Sequence, residues 1–482
     1  MRSLRTIAIN RLAAVGPRYL PFLDVATDEV PLSRLLRLSL FQVTVGMALV
    51  LLAGTLNRVM IVELNVPASL VAIMLALPLV FAPLRTFIGY KSDVHVSALG
   101  LRRVPYIWKG TLYQFGGFAI MPFALLVLSG YGEAVDAPRW VGYTSAGLAF
   151  LLVGAGVHMV QTVGLALATD LVKEDDQPKV VGLMYVMLLF GMVISALVYG
   201  TLLEDYTPGK LIQMIQGAAV VTVALNMAAM WKQEARDRVR ARQMLEAQHD
   251  PFREAIARVA ASHGTIRLLL VIALGTFGFG MADVLLEPYG AQALGLSVAD
   301  TTRLTALLAT GTLIGFAIAS RNIGLGQMPV RVALAGVAVG VPGFAGIITS
   351  SLGGAALLFP VGTVVIGLGA GLFGHATLTA MMRAAPRDQV GLALGTWGAV
   401  QATAAGVGIA LAGIVRDVFV GLSHGTGNAP HAPYNIVFTA EIVFLALAIL
   451  VALPLAARRA NNKATPRSAD QQSNPVEVSW QR

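Results

Sequence analysis

The sequence contains no cysteine, which excludes disulfides, thiolate zinc sites, cysteine-ligated iron–sulfur clusters and cysteine nucleophiles together. Charge is scarce too: Asp, Glu, Lys and Arg make up 13% of the 482 residues, against about a quarter in soluble domains. The usual catalytic signatures are also missing. There is no Gly-x-x-x-x-Gly-Lys-Ser/Thr phosphate loop, no His-Glu-x-x-His pair and no Gly-x-Ser-x-Gly elbow, so a non-enzymatic protein not driven directly by ATP is expected. What remains is 56% apolar, with a mean hydropathy of +0.71. The net charge of +9 has no soluble domain to sit on, which argues against nucleic acid as a partner.

A bilayer core needs about 20 mostly apolar residues per helix. Twelve such runs are found, approximately 35–58, 68–90, 104–130, 141–170, 179–203, 211–231, 266–287, 300–320, 330–350, 355–381, 390–416 and 434–456. The alternating ten-residue segments of a membrane barrel are not seen. An all-α polytopic membrane protein is therefore expected. The connections on one side carry 24 Lys and Arg, and those on the other carry two, Arg139 and Lys210. The positive-inside rule then places both termini in the cytoplasm. The first apolar run has full spanning length, so no cleavable leader is expected.

The longest connection falls after the sixth run and divides the chain. The expected organisation is a cytoplasmic amphipathic segment (1–34), a six-helix bundle (35–231), a cytoplasmic linker (232–265), a second six-helix bundle (266–456) and a disordered tail (457–482). In the first segment Leu4, Ile7, Leu12 and Val15 alternate with Arg2, Arg5, Arg11 and Arg18, as in a helix lying on anionic lipid. The halves share weak matches in consistent order. These include Lys179-Val-Val-Gly182 with Asp388-Gln-Val-Gly391, and Gly154-Ala-Gly156 in run four with Gly367-Leu-Gly369-Ala-Gly371 in run ten. Gly311-x-x-x-Gly315, Gly336-x-x-x-Gly340 and Gly391-x-x-x-Gly395 fit close helix packing. Gly89-x-x-x-Asp93, followed after an insertion by Gly100-Leu-Arg102-Arg103, resembles the signature loop of the major facilitator superfamily. That resemblance implies a gating or structural role for Asp93, Arg102 and Arg103, the alternative being ordinary positive-inside charges around a turn.

Ionisable groups at bilayer depth are costly and so mark candidate sites. Asp283 and Glu287 lie one turn apart in run seven, before Pro288. Aligning the ends of runs one and seven sets Asn57 and Arg58 opposite Glu287 and Pro288. The expectation is an Arg58 to Glu287 ion pair closing the non-cytoplasmic side, with Asp283 deeper; the alternative is that both snorkel to the head groups. Arg85 follows Pro78 and Pro83 near the cytoplasmic interface, and Glu441 has no obvious partner. His158 and His375 fall in corresponding runs, four and ten. Each is a candidate axial ligand for a pigment or haem metal, or an interhelical hydrogen bonder.

Four longer stretches are more specific: 35–43 (LLRLSLFQV), 54–64 (GTLNRVMIVEL), 82–93 (APLRTFIGYKSD) and 97–108 (SALGLRRVPYIW). They resemble the PucC/LhaA family, also called the bacteriochlorophyll delivery family, within the major facilitator superfamily. The resemblance implies an assembly factor for a core or peripheral light-harvesting antenna, in a bacterial inner or intracytoplasmic photosynthetic membrane. It implies handling of bacteriochlorophyll, with carotenoid as a second candidate, and as partners the antenna polypeptides, pigment-synthesis enzymes and membrane insertion machinery. The matching stretches contain no histidine except His95, so no pigment-ligand set follows from them. The alternative is a proton-coupled solute transporter using Asp283 and Glu287.

Overall fold

Hydrocarbon offers no water to a backbone N–H or C=O, so each spanning segment must satisfy its own hydrogen bonds, and a helix does so residue by residue. The computed structural model describes residues 30–80, 88, 92, 101–130, 134, 136–173, 176–234, 264–351, 356–384, 390–423 and 430–464. Among them all regular structure is helical. We number the helices α1 (Leu32–Glu63), α2 (Ala68–Val80), α3 (Val104–Ser129), α4 (Arg139–Asp170), α5 (Gln177–Leu202), α6 (Pro208–Met230), α7 (Thr265–Leu294), α8 (Val298–Gly324), α9 (Pro329–Ser350), α10 (Leu358–Ala384), α11 (Val390–Ser423) and α12 (Ala432–Ala464). All but α2 are long and apolar enough to cross a bilayer over the described residues, and α2 is a shorter apolar helix. Residues 1–29 of the N-terminal segment, most of the linker and residues 465–482 lie outside the described residues, as do Arg85 and Asp93, while α12 continues to Ala464, into the segment expected to be disordered.

The packing repeats with a shift of six helices. In the first half α3 packs on α4 and α6, α2 on α4, and α1 on α5 and α6. In the second half α9 packs on α10 and α12, α8 on α10, and α7 on α11 and α12. The halves meet along α2 with α11 and α5 with α8, which exchange under the same shift. This is the architecture of the major facilitator superfamily.

Glycine makes the close approaches, because in lipid helices associate by backbone proximity rather than by exclusion of water. A Cβ on Gly154 would lie 2.4 Å from Pro78 of α2, and one on Gly156 2.5 Å from the Gly110 carbonyl of α3. In α10, Gly367 and Gly371 would clash with α8 at the carbonyls of Leu308 (2.2 Å) and Thr312 (2.1 Å), and Gly369 with α9 at Gly336 (2.6 Å). The glycines matched between runs four and ten thus perform the same packing in each half. Gly311 and Gly315 likewise seat α8 on α10, at 2.2 Å from the Val364 and Leu368 carbonyls. The expected packing role of Gly391-x-x-x-Gly395 is not met at Gly395, where a Cβ would find nothing within 4 Å.

Two helices depart from regularity at related places. In α1, π-helical segments at Val50–Leu56 and Val59–Glu63 flank Asn57 and Arg58. In α7 the α-helix breaks at Met281 and resumes as Ala282–Leu294, passing through Pro288 instead of ending at Glu287 as expected. Widened turns of this kind concentrate at functional sites.

Gly315→Ala is expected to lower the thermal unfolding midpoint of the detergent-solubilised protein by forcing α8 from α10. Gly374→Ala, where nothing lies within 4 Å, should leave it unchanged or raise it slightly through helix propensity. Midpoints measured by size-exclusion fluorescence check the contrast.

Candidate functional site

Pro288 has no N–H, so the carbonyl four residues earlier, Val284, loses its helical partner. In hydrocarbon that loss must be made good from elsewhere. Asn57, fully buried between the two π-helical segments of α1, donates from Nδ2 to Val284 O at 2.8 Å. An irregularity in one half therefore fits an irregularity in the other. Around this bond, Thr55 and Thr302 share a hydrogen bond at 3.2 Å, and the Thr305 hydroxyl donates to Glu287, which is 3% exposed. Gly54 admits the Glu287 carboxyl, since a Cβ there would lie 2.6 Å from Oε1.

The expected ion pair between Arg58 and Glu287 is not formed. Arg58, 4% exposed, pairs with Glu63 and donates to Leu296 O at 3.3 Å, while Glu287 keeps Thr305. The π-helical turn Val59–Glu63 explains the switch: residues five apart, which diverge on an α-helix, come together on the wider π helix. Tyr206, in the turn between α5 and α6, joins this cluster. Burial, followed by the Glu63 carboxylate, pushes its phenol up to about 12, with Arg58 opposing.

The same end of the bundle is pinned elsewhere. Ser69 N donates to Asp417 Oδ2 at 2.7 Å, tying α2 to α11, and Arg303 of α8 pairs with Glu204 after α5 at 2.6 Å. Asp283 is exposed although it lies within α7, and it makes no hydrogen bond or ion pair with the described residues. Glu441 of α12 is fully buried, close to Asp283 and to the backbone of Ala282.

At the opposite end, Arg102 and Arg103 pair with an acid that the sequence did not single out. Arg103 Nε lies 3.0 Å and Arg102 Nη2 3.4 Å from Asp170, the last residue of α4, and Arg103 also donates to Ser92 at 2.8 Å. Glu234 accepts from the backbone N–H groups of Arg102 (2.7 Å), Arg103 (3.0 Å) and Val104 (3.0 Å), so a carboxylate from beyond α6 caps the N-terminus of α3.

The two histidines are not brought together as one site. His158 is half-buried in α4. His375, half-buried in α10, has a buried Nδ1 with no hydrogen-bond partner. Its ring lies 4.2 Å from Phe316 of α8. Phe316 stacks on Tyr185 of α5 at 6.4 Å, and Tyr185 meets Trp397 of α11 edge-on at 6.4 Å. This aromatic row crosses the seam between the halves, and no periodicity in the sequence announces it. An imidazole nitrogen not committed to a protein partner, set against aromatic faces, suits an axial ligand to a tetrapyrrole metal. Gln42 and Gln114 are fully buried with neither amide atom bonded, so they do not bridge helices.

Comparison with known proteins adds two results. Residues 55–460 match a family model described as "PUCC protein". The chain is 68% identical to "Protein PucC" of Rhodobacter capsulatus, over 94% of this chain and 99% of that protein, and 61% identical to "Protein PucC" of Rhodovulum sulfidophilum, over 90% and 96%. Among solved structures, a bacterial homologue of the human lysosomal transporter Spinster, in an inward-facing and occupied conformation, superposes with a TM-score of 0.63. It covers 88% of this chain and 96% of its own at 14% identity, a likeness of fold.

Asn57→Ala is expected to destabilise the protein by about 1–3 kcal/mol, because the Val284 carbonyl is left unpaired in a buried site. In a Pro288→Ala background the restored helical N–H should satisfy that carbonyl, and the cost of Asn57→Ala should fall. A double-mutant cycle on unfolding midpoints checks this, and equal costs in both backgrounds would contradict the pairing.

Proposed function

The chain belongs to the PucC family and is a multi-pass membrane protein with a PucC-type role in a photosynthetic complex, and we propose that within that role it binds bacteriochlorophyll and hands it to nascent antenna polypeptides. The observation that carries the pigment reading is His375, with a buried nitrogen unspent on any protein partner beside the row Phe316, Tyr185 and Trp397. Bound there, the pigment would be held by the His375 imidazole at its magnesium, beside Phe316, Tyr185 and Trp397. His158 is the candidate in the other half. A carotenoid would need only apolar surface. Antenna polypeptides, the enzymes that supply the pigment and the insertion machinery are the partners this reading requires, in the inner or intracytoplasmic photosynthetic membrane. Because the aromatic row joins α5 to α8 and α11 across the seam, movement of one half against the other would open or close the pigment's surroundings.

One observation favours proton-coupled transport of a small solute as a second reading. Asp283 places a carboxyl within a span of a transporter fold, one turn from Glu287. On that reading Asp283→Asn abolishes solute movement, whereas on the first it leaves pigment retention intact.

The test is gentle purification of the full chain from a phototroph. The wild type is expected to carry near-infrared absorption of bacteriochlorophyll, and His375→Leu to lose most of it while keeping the same elution profile. Pigment-free wild-type protein, or unchanged pigment in His375→Leu, would contradict the assignment.

A further inference from the structure

Helices α5 and α6 diverge over α1 and leave a groove of about 580 Å³ along the outer wall of the first half. Its mouth is open to the bilayer, since Val198 is 46% and Val221 43% exposed. Gly217 of α6 lines it and is exposed, and a Cβ there would meet nothing within 4 Å.

The polar groups gather at one end. Tyr199, in the last turn of α5, is 4% exposed and its hydroxyl has no hydrogen-bond partner, although it lines the groove. A buried hydroxyl with no partner costs free energy unless something outside the protein accepts from it. Lys210 lies in the first turn of α6, where a membrane helix meets the head groups, and its ion pair is a loose one to Asp205 at 3.5 Å, an acid 94% exposed. From Lys210 to Leu225 the groove runs 15 residues along α6, or about 22 Å at the helical rise per residue. One leaflet of hydrocarbon is about 15 Å deep, so this length holds a head group and one chain. No histidine lines the groove, which sets it apart from the surroundings of His375.

We propose that this groove seats one acyl chain of an anionic phospholipid, with the phosphate on Lys210 and an ester carbonyl accepting from the Tyr199 hydroxyl. The lipid would fill the gap left between α5 and α6, supply the missing partner to Tyr199 and hold α5 at the seam where it meets α8.

The full-length protein, exchanged in detergent against phosphatidylglycerol or phosphatidylcholine, can be examined by native mass spectrometry for retained lipid. The wild type is expected to retain phosphatidylglycerol in preference. Gly217→Leu, which places a side chain in open space without displacing backbone, should retain one lipid fewer. Lys210→Gln should lower the preference for phosphatidylglycerol about fivefold, the share of one cation at a membrane surface. Tyr199→Phe, isosteric and safe for folding, should weaken retention of both lipids alike. Equal retention in wild type and Gly217→Leu, or an unchanged preference in Lys210→Gln, would overturn the proposal. So would finding that the molecule displaced by Gly217→Leu is a pigment and not a phospholipid.

Discussion

The bond from Asn57 to the Val284 carbonyl is the point on which the two halves depend. Proline in a membrane helix leaves an acceptor that the bilayer cannot satisfy, so Pro288 in α7 requires a donor from a neighbour. The donor comes from α1 at the residue between its two π-helical segments, where the backbone is already wide enough to admit a second helix. Once that contact is set, the surrounding groups follow. Thr305 takes Glu287, Arg58 turns to Glu63 and Leu296, and the seam closes at one end of the bundle.

Glycine supplies the rest of the frame. Helices in lipid gain little from burying one another's leucines, and what holds them is the close approach that small residues allow. The same glycines in α4 and α10 seat the same neighbours in each half, and the seam along α2 with α11 and α5 with α8 inherits that symmetry. Two bundles joined along a seam are what a rocking fold requires. They are equally suited to a scaffold that opens a lateral surface for a hydrophobic cargo. The short supply of ionisable groups within the spans fits an apolar cargo better than a charged one.

Much of this was legible in the sequence, because hydropathy and the length of a span are set by the bilayer. Among the described residues each of the twelve apolar runs carries a helix, eleven of them of spanning length, and the matched glycines of runs four and ten do matching work. Aligning Asn57 and Arg58 with Glu287 and Pro288 found the right neighbourhood. It does not identify the partner of Arg58, because a π-helical turn, which nothing in the composition marks, brings Glu63 alongside. At the other end Arg102 and Arg103 stand out in the sequence, but their partner Asp170 lies 67 residues from Arg103, and only the crossing of α3 and α4 brings it near. The row from His375 to Trp397 was invisible for a similar reason. It draws one residue from each of four helices, so no period within a single helix reveals it.

The proposed role in pigment delivery and a role in solute movement differ in what the membranes absorb when the protein is missing. Deleting its gene in the phototroph and recording the absorption spectrum of the membranes tests this most directly. Loss of an antenna band is expected while bacteriochlorophyll synthesis continues, with the band restored by the wild-type gene. An unchanged antenna spectrum in the deletion strain would contradict the proposed role.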